Sequence, residues 1–297
     1  MQIGLIGLGK MGSNLAKRLL RGGHDVAGYD VASGAGADLD AEGLRRAGSL
    51  GDLLRALDAP RVVWVMLPPG AITSAALDEL EGLLDEGDLV IEGGNSNFRD
   101  SLRHAARFAE RGVGFLDVGV SGGIWGLEDG FGLLVGGDSG LVERAAPAFD
   151  AIAARDGWGH VGASGSGHYA KMVHNAVEYA LMQAYAEGYE LLRANDLDAP
   201  EVLGVWSTAC SARSWLLDHL VAALRARPDL DGVQGFVEDS GMGRWALKEA
   251  TDRAVPVPVM ASALFARFAS RQEESPAMQS LAALREQIGG HNAKVAG

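Results

Sequence analysis

A single cysteine, Cys210, in 297 residues excludes a disulfide framework within the chain and fits a reducing compartment. That thiol reads as a small buried packing group. Basic residues are outnumbered 26 to 39 by acidic ones, and the formal net charge of −13 argues against a broad nucleic-acid or anionic-membrane surface, which needs a basic face. Lysine is the scarcest charged residue: Lys10, Lys17, Lys171, Lys248 and Lys294 are the only five. Long apolar runs are also missing. The best candidate, Val62 to Leu67, stops at Pro68-Pro69, well short of the roughly 20 residues a membrane helix needs. No basic stretch precedes the opening apolar run "QIGLIGLG", which reads as a strand and not as a leader. These absences together predict a soluble, cytoplasmic protein.

Glycine is plentiful, with 42 residues in a chain that is 47% hydrophobic and 22% charged. That composition describes a globular protein with many tight turns, and the length allows about two domains. In the first half the short apolar runs "QIGLIG", "DVAGYD", "RVVWVML", "DLVIEGG" and "VGFLDVG" alternate with amphipathic stretches, which predicts a parallel sheet with helices on both faces. From about Gly162 the spacing of apolar residues turns helical. The expected architecture is α/β: a Rossmann-type doubly wound domain over residues 1–163, then a mainly α-helical domain over 164–297 for substrate and oligomerisation. The small-residue segment "GHVGASGSGHYAK" joins them, and a long helix follows from about Gly165 to Asn195.

Gly7, Gly9 and Gly12 form G-x-G-x-x-G between the first strand and the helical "KMGSNLAKRLL". The first glycine permits a tight turn, the second lets backbone approach a pyrophosphate, and the third lets helix and strand pack closely. The free N–H groups at the helix start attract the phosphates. Gly7, Leu8, Gly9, Lys10, Met11 and Gly12 are therefore candidate cofactor contacts. Asp30 ends the second strand 18 residues after Gly12, where a carboxylate accepts ribose hydroxyls and repels a 2′-phosphate, so the cofactor expected is NAD rather than NADP.

The chemistry is expected from "GSGHYAKMVHNAVEYALMQAYAEGYELL", residues 165 to 192. On a helix Lys171, His174, Asn175 and Glu178 stand at i, i+3, i+4 and i+7 and share one face. Met172, Val173, Ala176, Val177, Ala180 and Leu181 are expected to pack around this stripe, in surroundings that lower a lysine pKa and raise that of a glutamate. An ordinary solvated helix face is the plainer reading. The scarcity of lysine and the His-Asn pair between a base and an acid argue against it.

"KMVHNAVEY", with "IEGGNSN" (Ile91 to Asn97), "GVSGGIWG" (Gly119 to Gly126) and "GLGKMGSNLA", resembles the 6-phosphogluconate dehydrogenase family, the decarboxylating enzymes of the pentose phosphate pathway. The resemblance runs through nearly the whole chain. The length and the Tyr29-Asp30 pair, where an Asn-Arg-Thr run would read a 2′-phosphate, are similar to the family's shorter, NAD-preferring branch. The resemblance implies that Lys171 is the base for the substrate hydroxyl and then polarises the ketone during loss of CO2, with no metal required. It implies that Glu178 protonates the enediol to give ribulose 5-phosphate. Ser121, Gly122 and Gly123 would meet the substrate carboxylate end, Asn95 would lie between nicotinamide and substrate, and "MLPPG", including Leu67, would flank the cofactor. The phosphate would be held by Tyr179, Arg267, Arg285 and His291, the last two reaching a neighbouring subunit's site in a homodimer or homotetramer. Ser240 and Met242 in "SGMGRW" replace a lysine and a threonine of the longer family members, and Arg271 is a candidate replacement charge.

Two other readings stay open. Other β-hydroxyacid dehydrogenases, of the 3-hydroxyisobutyrate or tartronate semialdehyde type, share the glycine motif and the lysine but carry Lys-x-x-Asn-Asn without partners like His174 and Glu178. A non-catalytic NAD-binding protein is the more distant alternative.

Overall fold

The structure is a computed structural model that describes residues 1–289. The chain forms two compact units, Met1–His174 and Asn175–Gly297. The first holds an eight-stranded sheet: β1 (Gln2–Ile6), β2 (Asp25–Tyr29), β3 (Arg45–Arg46), β4 (Val62–Val65), β5 (Leu89–Glu92), β6 (Gly114–Ser121), β7 (Phe131–Gly136) and β8 (Ala153–Gly162). Their order is β3-β2-β1-β4-β5-β6-β7-β8. The helices of this unit are α1 (Lys10–Arg21), α2 (Leu50–Arg55), α3 (Ala71–Leu83), α4 (Phe98–Ala109), the short α5 (Gly126–Asp129), α6 (Ser139–Ile152) and the start of α7 (Ser166–Arg193).

Successive strand residues point to opposite faces, and both faces are covered. Ile3, Leu5, Trp64, Ile91 and Val118 pack in one core with Leu15 and Leu19 of α1 and Phe149 of α6. Val63, Val65 and Val90 pack in the other with Leu53 of α2, Leu77 of α3 and Phe108 of α4. A strand buried on both sides needs no polar alternation, which is why its sequence runs continuously apolar. The expected doubly wound sheet is present, and five of its parallel strands are those the apolar runs marked. It is not parallel throughout. β7 pairs antiparallel with β6, whereas β8 runs parallel to β7. Strand order reverses between β1 and β4, and in open α/β sheets the crevice beyond the strand ends at such a point receives ligands.

The second unit contains the rest of α7, followed by α8 (Ala199–Ala209), α9 (Trp215–Ala226), α10 (Met242–Asp252), α11 (Pro258–Ala269) and α12 (Pro276–Gly289), with no strand among the described residues. Leu203, Leu217, Val221 and Leu224 close one core between α8 and α9, and Tyr179, Ala263 and Leu264 form another. No helix among the described residues is long and apolar enough to cross a membrane.

Candidate active site

Gly7 turns the chain out of β1 at φ +93°, and a Cβ there would fall 2.3 Å from the Met66 carbonyl oxygen. A Cβ on Gly12 would come within 1.9 Å of the Gly7 carbonyl oxygen, so only glycine lets α1 sit this close to the strand end. Gly9 faces open space, with nothing within 4 Å of where its Cβ would be. As the N-cap of α1 it supplies no side-chain hydrogen bond, whereas Asn97 and Asp138 cap α4 and α6. The result is the open, uncapped helix start that a pyrophosphate fits. Lys10 is exposed and Met11 half-buried beside it, and Leu67, in the loop after β4, is half-buried.

The Asp30 carboxylate accepts the Leu8 N–H on Oδ2 at 2.7 Å and the Ala32 N–H on Oδ1 at 2.8 Å. It therefore fixes the glycine loop to the end of β2. Asp30 also lines a cavity of about 250 Å³ with Tyr29, Ser33 and Arg46.

Lys171 is 5% exposed, on the second turn of α7. Its seat is made of backbone. A Cβ on Gly119 would lie 2.5 Å from the Lys171 Cβ and 2.8 Å from the Gly167 carbonyl oxygen, and a Cβ on Gly167 would lie 2.2 Å from the Asp117 carbonyl oxygen. With no side chains as spacers, the first turns of α7 lie directly on β6 and β7. Asp117, fully buried in β6, completes the attachment by accepting the Gly165 N–H at 2.6 Å and the His168 N–H at 2.8 Å, which satisfies donors at the start of α7.

His168, one turn before Lys171, is buried with Ser101 and Glu92. Its Nδ1 lies 2.7 Å from Ser101 Oγ and 3.5 Å from Glu92 Oε2, and its Nε2 lies 3.2 Å from the Val118 carbonyl oxygen. A carbonyl only accepts, so Nε2 donates, and in the neutral ring Nδ1 accepts the serine hydroxyl. This buried polar cluster lay outside the sequence-based candidates. A lone aspartate inside the apolar run "FLDVGV" and a histidine three residues before Lys171 were the available signals.

Asn95 adopts φ +59° and gives its whole amide to Val120: Nδ2 donates to the carbonyl at 3.0 Å and Oδ1 accepts the N–H at 2.9 Å. It thus ties the loop after β5 to the end of β6, next to Ser121, Gly122 and Gly123. Ser121 and Gly122 are half-buried and Gly123 is exposed.

Beyond Lys171, the same face of α7 carries His174, which is exposed, and Asn175 and Glu178, both half-buried. The apolar neighbours depart from expectation. Met172 and Ala176 are buried, but Val173, Val177 and Leu181 are 38%, 40% and 42% exposed. At 100° per residue Val173 and Val177 point away from Lys171, whereas Leu181 falls beside His174 and Glu178 on the exposed edge of the stripe.

In the second unit Tyr179, Ser240 and Arg267 come together. The Arg267 guanidinium lies 3.8 Å from the Tyr179 ring centroid and donates to the Glu238 carbonyl at 2.7 Å. The Tyr179 hydroxyl accepts the Ser240 N–H at 2.8 Å and lies 3.0 Å from Ser240 Oγ. Met242 is buried at the start of α10. Arg271 is committed elsewhere: it donates to the Val237 carbonyl and, at 2.8 Å, to Asp239, which also takes Arg244 at 2.9 Å. Hydrogen bonds from Arg244 and then Arg271 hold the Asp239 carboxyl well below the usual carboxylate range, opposed by its burial. Arg271 is thus the partner of a buried acid and not a spare charge. Arg285 is exposed on α12, and His291 lies outside the described residues.

Residues 2–165 match the model of the NAD binding domain of 6-phosphogluconate dehydrogenase, and residues 167–294 match the C-terminal domain of the same family. The NAD(+)-dependent, decarboxylating 6-phosphogluconate dehydrogenase of Haloferax volcanii is 42% identical over 295 residues, 98% of each chain. The enzyme of that name from Bacillus subtilis is 35% identical across 95% of this chain and 64% of its own. Among solved structures, the 6-phosphogluconate dehydrogenase of Plasmodium falciparum superposes with a TM-score of 0.85 at 26% identity, over 100% of this chain and 66% of that one. The chain belongs to the 6-phosphogluconate dehydrogenase family and carries that family's NAD-binding domain.

Proposed function

We propose that the protein oxidises and decarboxylates 6-phosphogluconate to ribulose 5-phosphate and CO2, using NAD in preference to NADP. The observation that carries this reading is the burial of Lys171 on a backbone seat, with Glu178 two turns further along the same helix face. Held by the glycine loop of residues 7–12 and Asp30, NAD would supply the acceptor for the hydride of the substrate's secondary alcohol. Neutral Lys171 takes the hydroxyl proton and, now protonated, holds the ketone oxygen while the carboxylate on the neighbouring carbon leaves as CO2 and its bonding electrons pass into the carbonyl. Glu178 returns a proton to C1 of the enediol. His174 and Asn175 bond the substrate hydroxyls. Asn95 holds the β5 loop against β6, so that Ser121, Gly122 and Gly123 meet the carboxylate end. Tyr179 and Arg267 take the phosphate, with the start of α10 behind Ser240. Residues 1–163 form the cofactor domain and 164–297 the substrate domain in this reading, in which Arg285 and His291 reach the site of a neighbouring subunit. The names of the two relatives support both the decarboxylation and the cofactor.

Purified protein given 6-phosphogluconate with NAD or NADP tests the reading by nicotinamide reduction and CO2 release together. Equal amounts of both, faster with NAD, are expected. Reduction without CO2 would make the protein a simple hydroxyacid dehydrogenase. Glu178→Gln is expected to slow formation of ribulose 5-phosphate more than it slows nicotinamide reduction.

A further inference from the structure

The cavity beside Asp30 contains one acidic and one basic lining residue, Asp30 and Arg46. Asp30 faces it with a charge fixed by the Leu8 and Ala32 N–H groups. Arg46, the last residue of β3, is turned to other partners. Its Nε donates to Asp40 at 2.6 Å, and its two terminal nitrogens donate to the Ala35 and Gly36 carbonyls. Asp40 belongs to a 3-10 segment, Ala37–Glu42, whose other acids hold cations in the same way: Asp38 pairs with Lys17, and Glu42 with Arg21 at 3.4 Å. Three carboxylates on one short turn thus pair with three cations.

We propose that Asp40 is a cofactor-specificity residue, which holds the Arg46 guanidinium so that this cavity does not engage a 2′-phosphate. The inference rests on taking the cavity as the adenosine ribose site of the proposed NAD-dependent function. Asp30 then excludes the 2′-phosphate by repulsion, and Asp40 compensates the one cation among the residues that line the cavity. A guanidinium is a strong phosphate ligand when its fork is free, but Asp40 and two carbonyls fill three of its five donor positions and compensate its charge. Neutralising Asp40 leaves Arg46 charged, 29% exposed and lining the cavity.

The test is direct binding, independent of turnover: titration of the full-length protein with NADH and NADPH, followed by nicotinamide fluorescence at low ionic strength, because the pair is partly exposed and salt screens it. Asp40→Asn is expected to tighten NADPH roughly tenfold, the worth of one charge-assisted hydrogen bond, without changing NADH. The gain should vanish in Asp40→Asn/Arg46→Met, and Asp40→Glu should keep the wild-type ratio. Arg46→Met alone should leave NADPH binding unchanged, since that cation is already engaged. An unchanged ratio in Asp40→Asn, with NADH still bound, would overturn the proposal alone. So would a gain that survives removal of Arg46. Failure of the wild type to bind either nucleotide would overturn it together with the cofactor reading.

Discussion

Lys171 and Arg267 are basic side chains held by opposite means. Lys171 owes its place to the absence of side chains: Gly119 and Gly167 let helix backbone lie on sheet backbone, and Asp117 fastens the start of α7. Arg267 is held by the Tyr179 ring beneath its guanidinium, with a hydrogen bond to the Glu238 carbonyl at its edge. Close-packed backbone has few ways to relax, so the first arrangement fixes an atom tightly and tolerates little change. A guanidinium on a ring can slide without losing contact, which would suit the proposed role at a phosphate ester. In the proposed reaction the base would sit on a glycine seat and the phosphate-binding charge on an aromatic platform.

The sharpest way to break the comparison is Gly119→Ala. One methyl group must displace α7 or the Lys171 stem, which should cost about 1–3 kcal/mol of stability in a denaturant titration. Turnover should fall roughly 100-fold, as expected for misplacing a reacting group by an ångström. Normal turnover in a stably folded Gly119→Ala protein would mean that the seat does not position Lys171. Next in size, Arg267→Met keeps an apolar group over the Tyr179 ring and removes the charge together with the hydrogen bond to the Glu238 carbonyl. It should raise KM for 6-phosphogluconate roughly 10- to 100-fold, the worth of charge-assisted hydrogen bonds to phosphate, and leave kinetics with unphosphorylated gluconate unchanged. Equal effects on both substrates would place Arg267 outside the phosphate site.

The smallest effect concerns Asp239, beside the Arg267 platform. Its folded pKa lies below its unfolded one, so its contribution to stability is fully present above the ordinary carboxylate range and is lost as pH falls toward the folded value. Asp239→Asn should therefore be less stable than wild type near neutrality and converge with it in acid. A constant gap between the two denaturation profiles would show that Asp239 acts through shape and not charge.

Much of the fold was legible because it is written locally. Five strands announced themselves as apolar runs between helical segments, and α7 announced its polar face by spacing alone. β7 did not, since "FGLLVGG" is short, rich in glycine and follows a turn-rich stretch, and no local pattern encodes an antiparallel partner. The exposure of Val173, Val177 and Leu181 was equally hidden, because periodicity assigns residues to a face without saying what covers it.

The sequence by itself determined the glycine loop, the acid at the end of β2 and the four-residue stripe on α7, because each depends on spacing within one or two elements. Only the tertiary structure decided that Lys171 is seated on Gly119, that Asp40 holds Arg46, and that Arg271 serves Asp239 while Arg267 lies on Tyr179. Those outcomes are choices among possible partners, and a side chain's partner is set by which surfaces the fold brings within a few ångströms.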